Sequence, residues 1–418
     1  MILSTAKKSY ALLGVIKLLF IFVVLQFLFF VSCSDNDSSS GDTITVGLLL
    51  PFSGSDAAFG NNYERSVILA KEKFNDAGGA GGKKLVFTTK DTHSNAMDAE
   101  DAFNSLTENN LLTIIGPENI SAAESIIPKV IKNQQVLLSP VISGSSKIVL
   151  PQDFNWTRLA PSSSIISRAF ANYISDEEDE DINIIYSEDA YNIDFADILS
   201  NRLTALGVKI ENKIHISENQ LSFSKEIATL GTAKSKVLVL AAATATAARF
   251  INELSGSESE TSWVWYLSPT LETPVLLQNI FNNALEGAIG AGVDVYDKSA
   301  DFEKAYLKRW NDYPSDGAYY YYDAASILGL AYARSIYLKE EITYENITAS
   351  IIDITTPSGI QVRWNEIDKG IELIEKGRTI YYSGLTGPIL LDRNGQQQAA
   401  PMKLWTISSD KIEYYDSL

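Results

Sequence analysis

The stretch Ile44-Thr45-Val46-Gly47-Leu48-Leu49-Leu50-Pro51-Phe52-Ser53-Gly54 decides the fold. Ile44–Leu50 is an apolar, β-rich run too short for a helix, and Pro51 and Gly54 close it, so it reads as a strand entering a loop. A helix follows from Asn61 to Asp76, with Val67, Ala70 and Phe74 on one face, and the glycine cluster Gly78–Gly82 ends it before a strand at Lys84–Lys90. The cycle repeats as helix Ala96–Glu108, strand Leu111–Ile115, helix Ser121–Lys132 and strand Val136–Ser139. Strands alternating with amphipathic helices define an α/β chain with parallel sheets.

A second series starts near Ser162. It runs helix Ser164–Ser175, strand Ile182–Tyr186, helix Asp194–Leu206, strand Val208–Ile214, helix Ser224–Leu230, strand Val237–Ala242, helix Ala245–Leu254 and strand Ser262–Leu267. The last third adds helices Ala300–Asp312 and Tyr321–Tyr337 and a hairpin-like ending, Ile389–Asp392 with Lys403–Ile407. Two tandem α/β units and a tail that returns to both predict two lobes joined by several crossings, which the length of the chain also favours.

The N-terminus carries a different signal. Lys7, Lys8 and Lys17 precede an apolar run from Leu18 to Val31, then the single cysteine, Cys33, and the polar stretch Ser34–Gly41. As a helix, the run would span only about 21 Å, short of the ~30 Å hydrocarbon core. This layout is that of an export signal over residues 1–32, followed by a tether over 33–42. Phe30-Val31-Ser32-Cys33 resembles a bacterial lipobox, which implies an acylated Cys33 as the mature N-terminus anchored in a lipid bilayer. An uncleaved anchor helix is the alternative. The acidic start Ser34-Asp35-Asn36-Asp37 leaves both the periplasmic and the external face open.

Residues 1–32 hold three lysines and no acid, so their removal takes the formal charge from -18 to -21. A body this acidic repels nucleic acid and anionic membrane surfaces, and both are excluded as partners.

Several motifs then agree. Thr45–Gly54, Asn75-Asp76-Ala77-Gly78-Gly79, Ile114-Ile115-Gly116-Pro117, Leu138-Ser139-Pro140, Tyr186–Tyr191, Tyr322-Asp323-Ala324-Ala325 and Tyr382–Pro388 with Asp392–Gly395 occur in order along the chain. Together they resemble the leucine/isoleucine/valine-binding family of type I periplasmic solute-binding proteins. The resemblance implies two Rossmann-like lobes with three hinge crossings, placed near Ala160, Gly287–Gly290 and Leu385–Gly387. One lobe would comprise 43–160 plus 288–385, the other 161–287 plus 386–418. It also implies a small polar ligand, an ABC permease as partner, no cofactor and no catalysis.

Carried over residue by residue, the family's site falls on Phe59, Ser121, Val141, Ser143, Tyr191 and Thr270. At the position of a ligand-holding serine stands Ile120, with Ser121 one step on. Val141 offers backbone and Ser143 a hydroxyl as well. Phe59 and Tyr191 face one another as rings from opposite lobes. Thr270 replaces the acid that holds a ligand ammonium, and Ala243 replaces an aromatic contact. Glu118 and Glu272 are the acids that could substitute as the cation partner. Ordinary capping by the serines and loop packing by the rings are the structural alternative.

Other constellations fail. The Gly78–Lys84 loop lacks the Gly-Lys-Ser/Thr ending of a phosphate loop. The two histidines, His93 and His215, are too far apart in sequence to suggest a zinc site, and no Gly-x-Ser-x-Gly elbow exists. Asp176–Asp181 lacks calcium-loop spacing. The rings Tyr319–Tyr322 read as interhelical packing. A regulatory lipoprotein of the same fold that binds an envelope protein is the rival reading, favoured by the apolar Ile120 and Val141-Ile142.

Overall fold

The structure, a computed structural model, describes residues 42–108, 111–144, 151, 156–257, 263–294, 300–398 and 401–417. The signal segment and Cys33 lie outside them. Residues 44–418 form one compact unit.

The first α/β series runs β1 (Thr43–Leu50), α1 (Ala57–Asp76), β2 (Lys84–Asp91), α2 (Ala96–Thr107), β3 (Thr113–Ile115), α3 (Ile120–Lys132), β4 (Val136–Ser139) and β5 (Trp156–Arg158). Among the described residues these strands build a five-stranded sheet, ordered β2-β1-β3-β4-β5. The pairs β1–β3, β3–β4 and β4–β5 are parallel, with Gly47 opposite Ile114. Parallel strands need covered faces, which is why β4 is buried along its whole length and β1 from Val46 onward.

The second series runs α4 (Ser163–Glu177), β6 (Ile182–Ser187), α5 (Ala190–Ala205), β7 (Ile210–Ile216), α6 (Ser224–Gly231), β8 (Val237–Ala241), α7 (Thr244–Ser255), β9 (Val264–Leu267), α8 (Pro274–Asn279) and β10 (Ile289–Val293). Its strands β7-β6-β8-β9-β10 repeat the switched order of the first sheet, and β14 (Met402–Ser408) and β15 (Lys411–Ser417) extend it antiparallel. No strand is shared between the two sheets, so the expected two-lobed α/β architecture holds.

Between the two visits to this sheet the chain returns to the first lobe. There it forms α9 (Ala300–Trp310), α10 (Asp316–Tyr337), α11 (Tyr344–Ile354), β11 (Ile360–Arg363), α12 (Ile367–Glu375), β12 (Ile380–Gly384) and β13 (Gly387–Pro388). From Ala318 to Ala333 every residue of α10 is buried, and its side chains join the core of β1, β3 and α1. A helix apolar all round must be enclosed on all sides. The rings Tyr319–Tyr322 accordingly pack in the core, as their spacing suggested.

Three expectations are corrected. Strand β10 pairs with β9 and β14, so Ile289–Val293 belong to the second lobe's sheet and Gly287–Gly290 is not a crossing. Gly290 is needed within that sheet instead, since a Cβ there would lie 2.1 Å from the Trp405 ring. Leu385, Ile389 and Leu391 pack in the first core, so Leu385–Gly387 is not a crossing. The ending is a hairpin of β14 with β15, while Leu391 bridges Gln397. The strand pattern of β14 was legible, but its partner lay in the polar, weakly patterned Lys411–Ser417.

Candidate functional site

In each sheet the strand order reverses between the first strand of the series and its third, which leaves a crevice at the carboxyl ends where loops diverge. In the first lobe the segments after β1 and β4 reach the cleft from this carboxyl-end side of the sheet. In the second it is the loops after β6 and β9. The two edges bound one cleft of about 600 Å³.

Phe59 and Tyr63 reach the cleft from α1, one helical turn apart. Their rings stack at 5.9 Å, and Tyr63 stacks at 4.4 Å on Tyr321 of α10. The loop ahead of α1 is clamped. The Asp91 carboxylate accepts from the backbone N–H of Phe52 and from the Ser53 hydroxyl, each at 2.9 Å. Burial alone would raise the Asp91 pKa, but these bonds and that from the His93 N–H outweigh it and lower it. Ser53, Asp91 and His93 do not form a hydrolytic triad. Ser53 and Asp91 approach the same His93 nitrogen, at 2.5 Å and 3.5 Å, whereas a relay needs one partner on each.

Val141 and Ser143 line the cleft from the loop after β4. Arg158 fixes that loop by donating to the Gly144 carbonyl, while its Nε donates to Gln396 at 2.6 Å and the guanidinium lies over Trp156. Gln396 returns a bond to the Trp156 carbonyl at 2.6 Å. Thus the end of β5 and the segment around Gln396 are tied together by one half-buried cation, whose pKa burial lowers.

Tyr191 enters from the second lobe, in the first turn of α5. Asp189 caps this helix, accepting from the Asn192 N–H at 3.0 Å and from the Ser187 hydroxyl at 2.6 Å. Thr270 also lines the cleft, but its hydroxyl is already engaged with Ser268, Asn192 and the Ala242 carbonyl. It can offer a ligand mainly its methyl and backbone.

Five of the six residues named from sequence therefore border the cleft: Phe59, Val141, Ser143, Tyr191 and Thr270. Ser121 does not. It is exposed, and its hydroxyl donates to Asn119 at 2.9 Å, while Asn119 caps α3 through the Ala122 N–H at 2.9 Å. Ser121 therefore serves the helix cap, and the ligand role expected of it is withdrawn. The acids Glu118 and Glu272 do not line the cleft either. Glu118 is buried, which raises its pKa, and it accepts from Thr92 and Asn119. Glu272 pairs with Lys403 at 2.6 Å, both largely buried.

Sequence reasoning missed the wall formed by Tyr63, Ser315, Asp316, Gly317 and Tyr320. Tyr63 was available from its i+4 spacing to Phe59. Asp316 lay hidden because α10 begins at Asp316, five residues before the expected Tyr321, although Ser315-Asp316 is a helix-start pattern. Asn62 sets this helix start by donating to the Tyr313 carbonyl at 2.9 Å and accepting from the Ser315 N–H at 2.7 Å. At Gly317 a Cβ would stand 2.5 Å from the Tyr63 ring, so only glycine lets the two walls meet. Burial, then nearby carboxylates, raise the pKa of Tyr63, Tyr191 and Tyr320, and all three phenols remain protonated at neutral pH.

Two lobes hinged by crossings around a ring-lined cleft define a two-lobed binding protein, with no assembled nucleophile and base on the described walls. The chain belongs to the periplasmic binding protein family, whose model matches residues 43–411. It is 27% identical over 175 residues to the chemotactic signal transduction system substrate-binding protein BasB of Halobacterium salinarum, covering 40% of this chain and 42% of that one. It is 21% identical over 196 residues to Leu/Ile/Val-binding protein homolog 3 of Brucella melitensis, covering 47% and 53%. The aligned part thus spans about half the length of each relative. The structure superposes on a putative branched-chain amino acid ABC transporter from Rhodospirillum rubrum with a TM-score of 0.67 at 18% identity, over 89% of this chain and 100% of that one. These relatives are named for binding and transport, not for catalysis.

Proposed function

We propose that this chain is an extracytoplasmic solute-binding protein, tethered to a membrane by acyl chains on Cys33, that captures a small organic ligand between its lobes and passes it to an ABC importer. The observation that carries the reading is the cleft of about 600 Å³, which lies at the switch points of both sheets and is lined by aromatic side chains with a few polar groups. That volume suits an amino acid or a compound of similar size. Phe59, Val141, Ser143, Tyr191 and Thr270 are the proposed contacts. The ligand touches both lobes and so favours the closed arrangement by its differential contacts. For the lobes we propose 43–160 with 300–398, and 163–294 with 401–417. A regulator that only docks a protein partner needs no polar groups in the cleft, and Ser143, Ser315 and Asp316 speak for capture.

The test is a binding screen of the full chain in detergent against amino acids, amines, short amides and organic acids, read by thermal shift and calorimetry. One-to-one binding with a shift that Tyr191→Ala diminishes is expected. Silence across the screen from a folded chain would move the regulatory reading ahead. For the tether, Cys33→Ser is expected to abolish detergent partitioning or leave residues 1–32 attached, and a processed variant that still partitions would refute acylation.

A further inference from the structure

Charge on the cleft wall is one-sided. Among its described lining residues Asp316 alone is formally charged, and no Lys, Arg or His is among them. Two described cations near the cleft are committed elsewhere. Arg158 is held by Gly144, Gln396 and the Trp156 ring, and Lys403 by Glu272 at 2.6 Å and by the Tyr414 ring at 4.3 Å. A second acid, Asp294, follows directly on the cleft residue Val293, and burial first, then Asp323, Asp316 and Asp294, raise the pKa of the Tyr320 hydroxyl. The serine expected to receive a ligand carboxylate has turned away to the α3 cap. Among the described residues, an organic anion would find no cationic partner in this cleft and would face at least one carboxylate.

Asp316 also keeps company suited to a cation. It shares the cleft wall with Tyr63 of α1 and with Tyr320, its neighbour Gly317 abuts the Tyr63 ring, and Phe59 stacks on Tyr63. Ring faces attract ammonium groups, most strongly where water is partly excluded. A helix start ordinarily favours an acid, and Asp316 stands in the first turn of α10. The Asn62 bonds to Tyr313 and Ser315 and the close approach at Gly317 fix that helix start against α1.

The geometry points to an organic cation as the ligand: an amine on an apolar or aromatic body, its ammonium against Asp316 and the ring of Tyr320, its body reaching Phe59 and Tyr191. This rests on the capture reading above and names the chemistry of the same site. Unlike an amino acid, such a ligand requires no carboxylate.

Three matched probes test it, phenethylamine, phenylalanine and 3-phenylpropanoate, titrated by calorimetry into the full chain in detergent. Phenethylamine is expected to bind at least about tenfold tighter than 3-phenylpropanoate, the scale of a charge-assisted hydrogen bond. Asp316→Asn is expected to remove that advantage while leaving the unfolding midpoint of the free protein close to wild type, and Asp316→Glu to restore part of it. Rising salt should weaken the amine alone. Tighter binding of phenylalanine or 3-phenylpropanoate, or an amine affinity indifferent to Asp316→Asn, would overturn the cation assignment and leave capture standing. Failure of all three probes overturns it too, and failure of the whole ligand screen besides would also remove the capture reading.

Discussion

Asp323→Ala is the substitution whose cost the structure predicts most closely. Asp323 is fully buried in α10, and its carboxylate accepts four bonds: from the Tyr382 hydroxyl at 2.8 Å, the Leu385 N–H at 2.9 Å, the Thr386 N–H at 2.9 Å and the Thr386 hydroxyl at 2.7 Å. Alanine removes every acceptor. The two hydroxyls can turn to other partners, but the two backbone N–H groups cannot. At about 1–3 kcal/mol for each orphaned buried donor, the loss should be about 4 kcal/mol, before any cavity term. Asparagine, neutral but still an acceptor, should recover part of it. Burial raises the Asp323 pKa from 3.8 to about 6 against the opposing pull of the four donors. A raised carboxyl pKa contributes stability that is fully present below the unfolded value and lost as pH rises through about 6. Between pH 7 and pH 5 wild type should therefore gain about 1 kcal/mol over the alanine variant. Urea unfolding followed by circular dichroism at both pH values measures this. An alanine variant within about 1 kcal/mol of wild type at pH 7, or a gap that narrows toward pH 5, would refute the reasoning.

Other substitutions test other parts of the account. Gly290→Ala forces a Cβ to within 2.1 Å of the Trp405 ring, so a loss of about 1–3 kcal/mol or more is expected in the same urea assay. Lys403→Met strands Glu272 in a largely buried place and should cost about 3 kcal/mol, while Lys403→Met with Glu272→Leu should recover much of it. In calorimetry with phenethylamine, Tyr191→Ala should weaken binding by about tenfold, as befits loss of an aromatic wall, whereas Ser121→Ala should leave affinity unchanged.

The frame of the fold was legible because its elements carry strong local patterns. Strands β1, β3 and β4 are apolar runs closed by Pro or Gly, and helices such as α3 show one apolar face. What the sequence hid is non-local. Strand β10 contains Gly290 and Gly292, which weaken any strand signal, and its place is set by Trp405 more than a hundred residues away. The motifs Tyr322–Ala325 and Tyr382–Pro388 were visible as separate signatures. Their meaning appears only when Asp323 is seen to bind the turn at Leu385–Thr386, which makes both structural rather than ligand-binding. In the cleft, loop residues that follow directly on strand ends could be placed by position. Side chains whose use depends on a competing local partner could not: Ser121 is taken by Asn119, and the Thr270 hydroxyl by Ser268, Asn192 and Ala242. Asp316 was missed because helix boundaries are the weakest part of any reading by periodicity.

The central claim is that one small ligand bridges the two lobes and draws them together. Spin labels at Met97 and Leu221, both exposed and one in each lobe, report the separation of the lobes by double electron–electron resonance. Saturating phenethylamine is predicted to shorten the mean distance and narrow its distribution, and Tyr191→Ala to oppose the change. Binding confirmed by calorimetry with an unaltered distance distribution would contradict the claim.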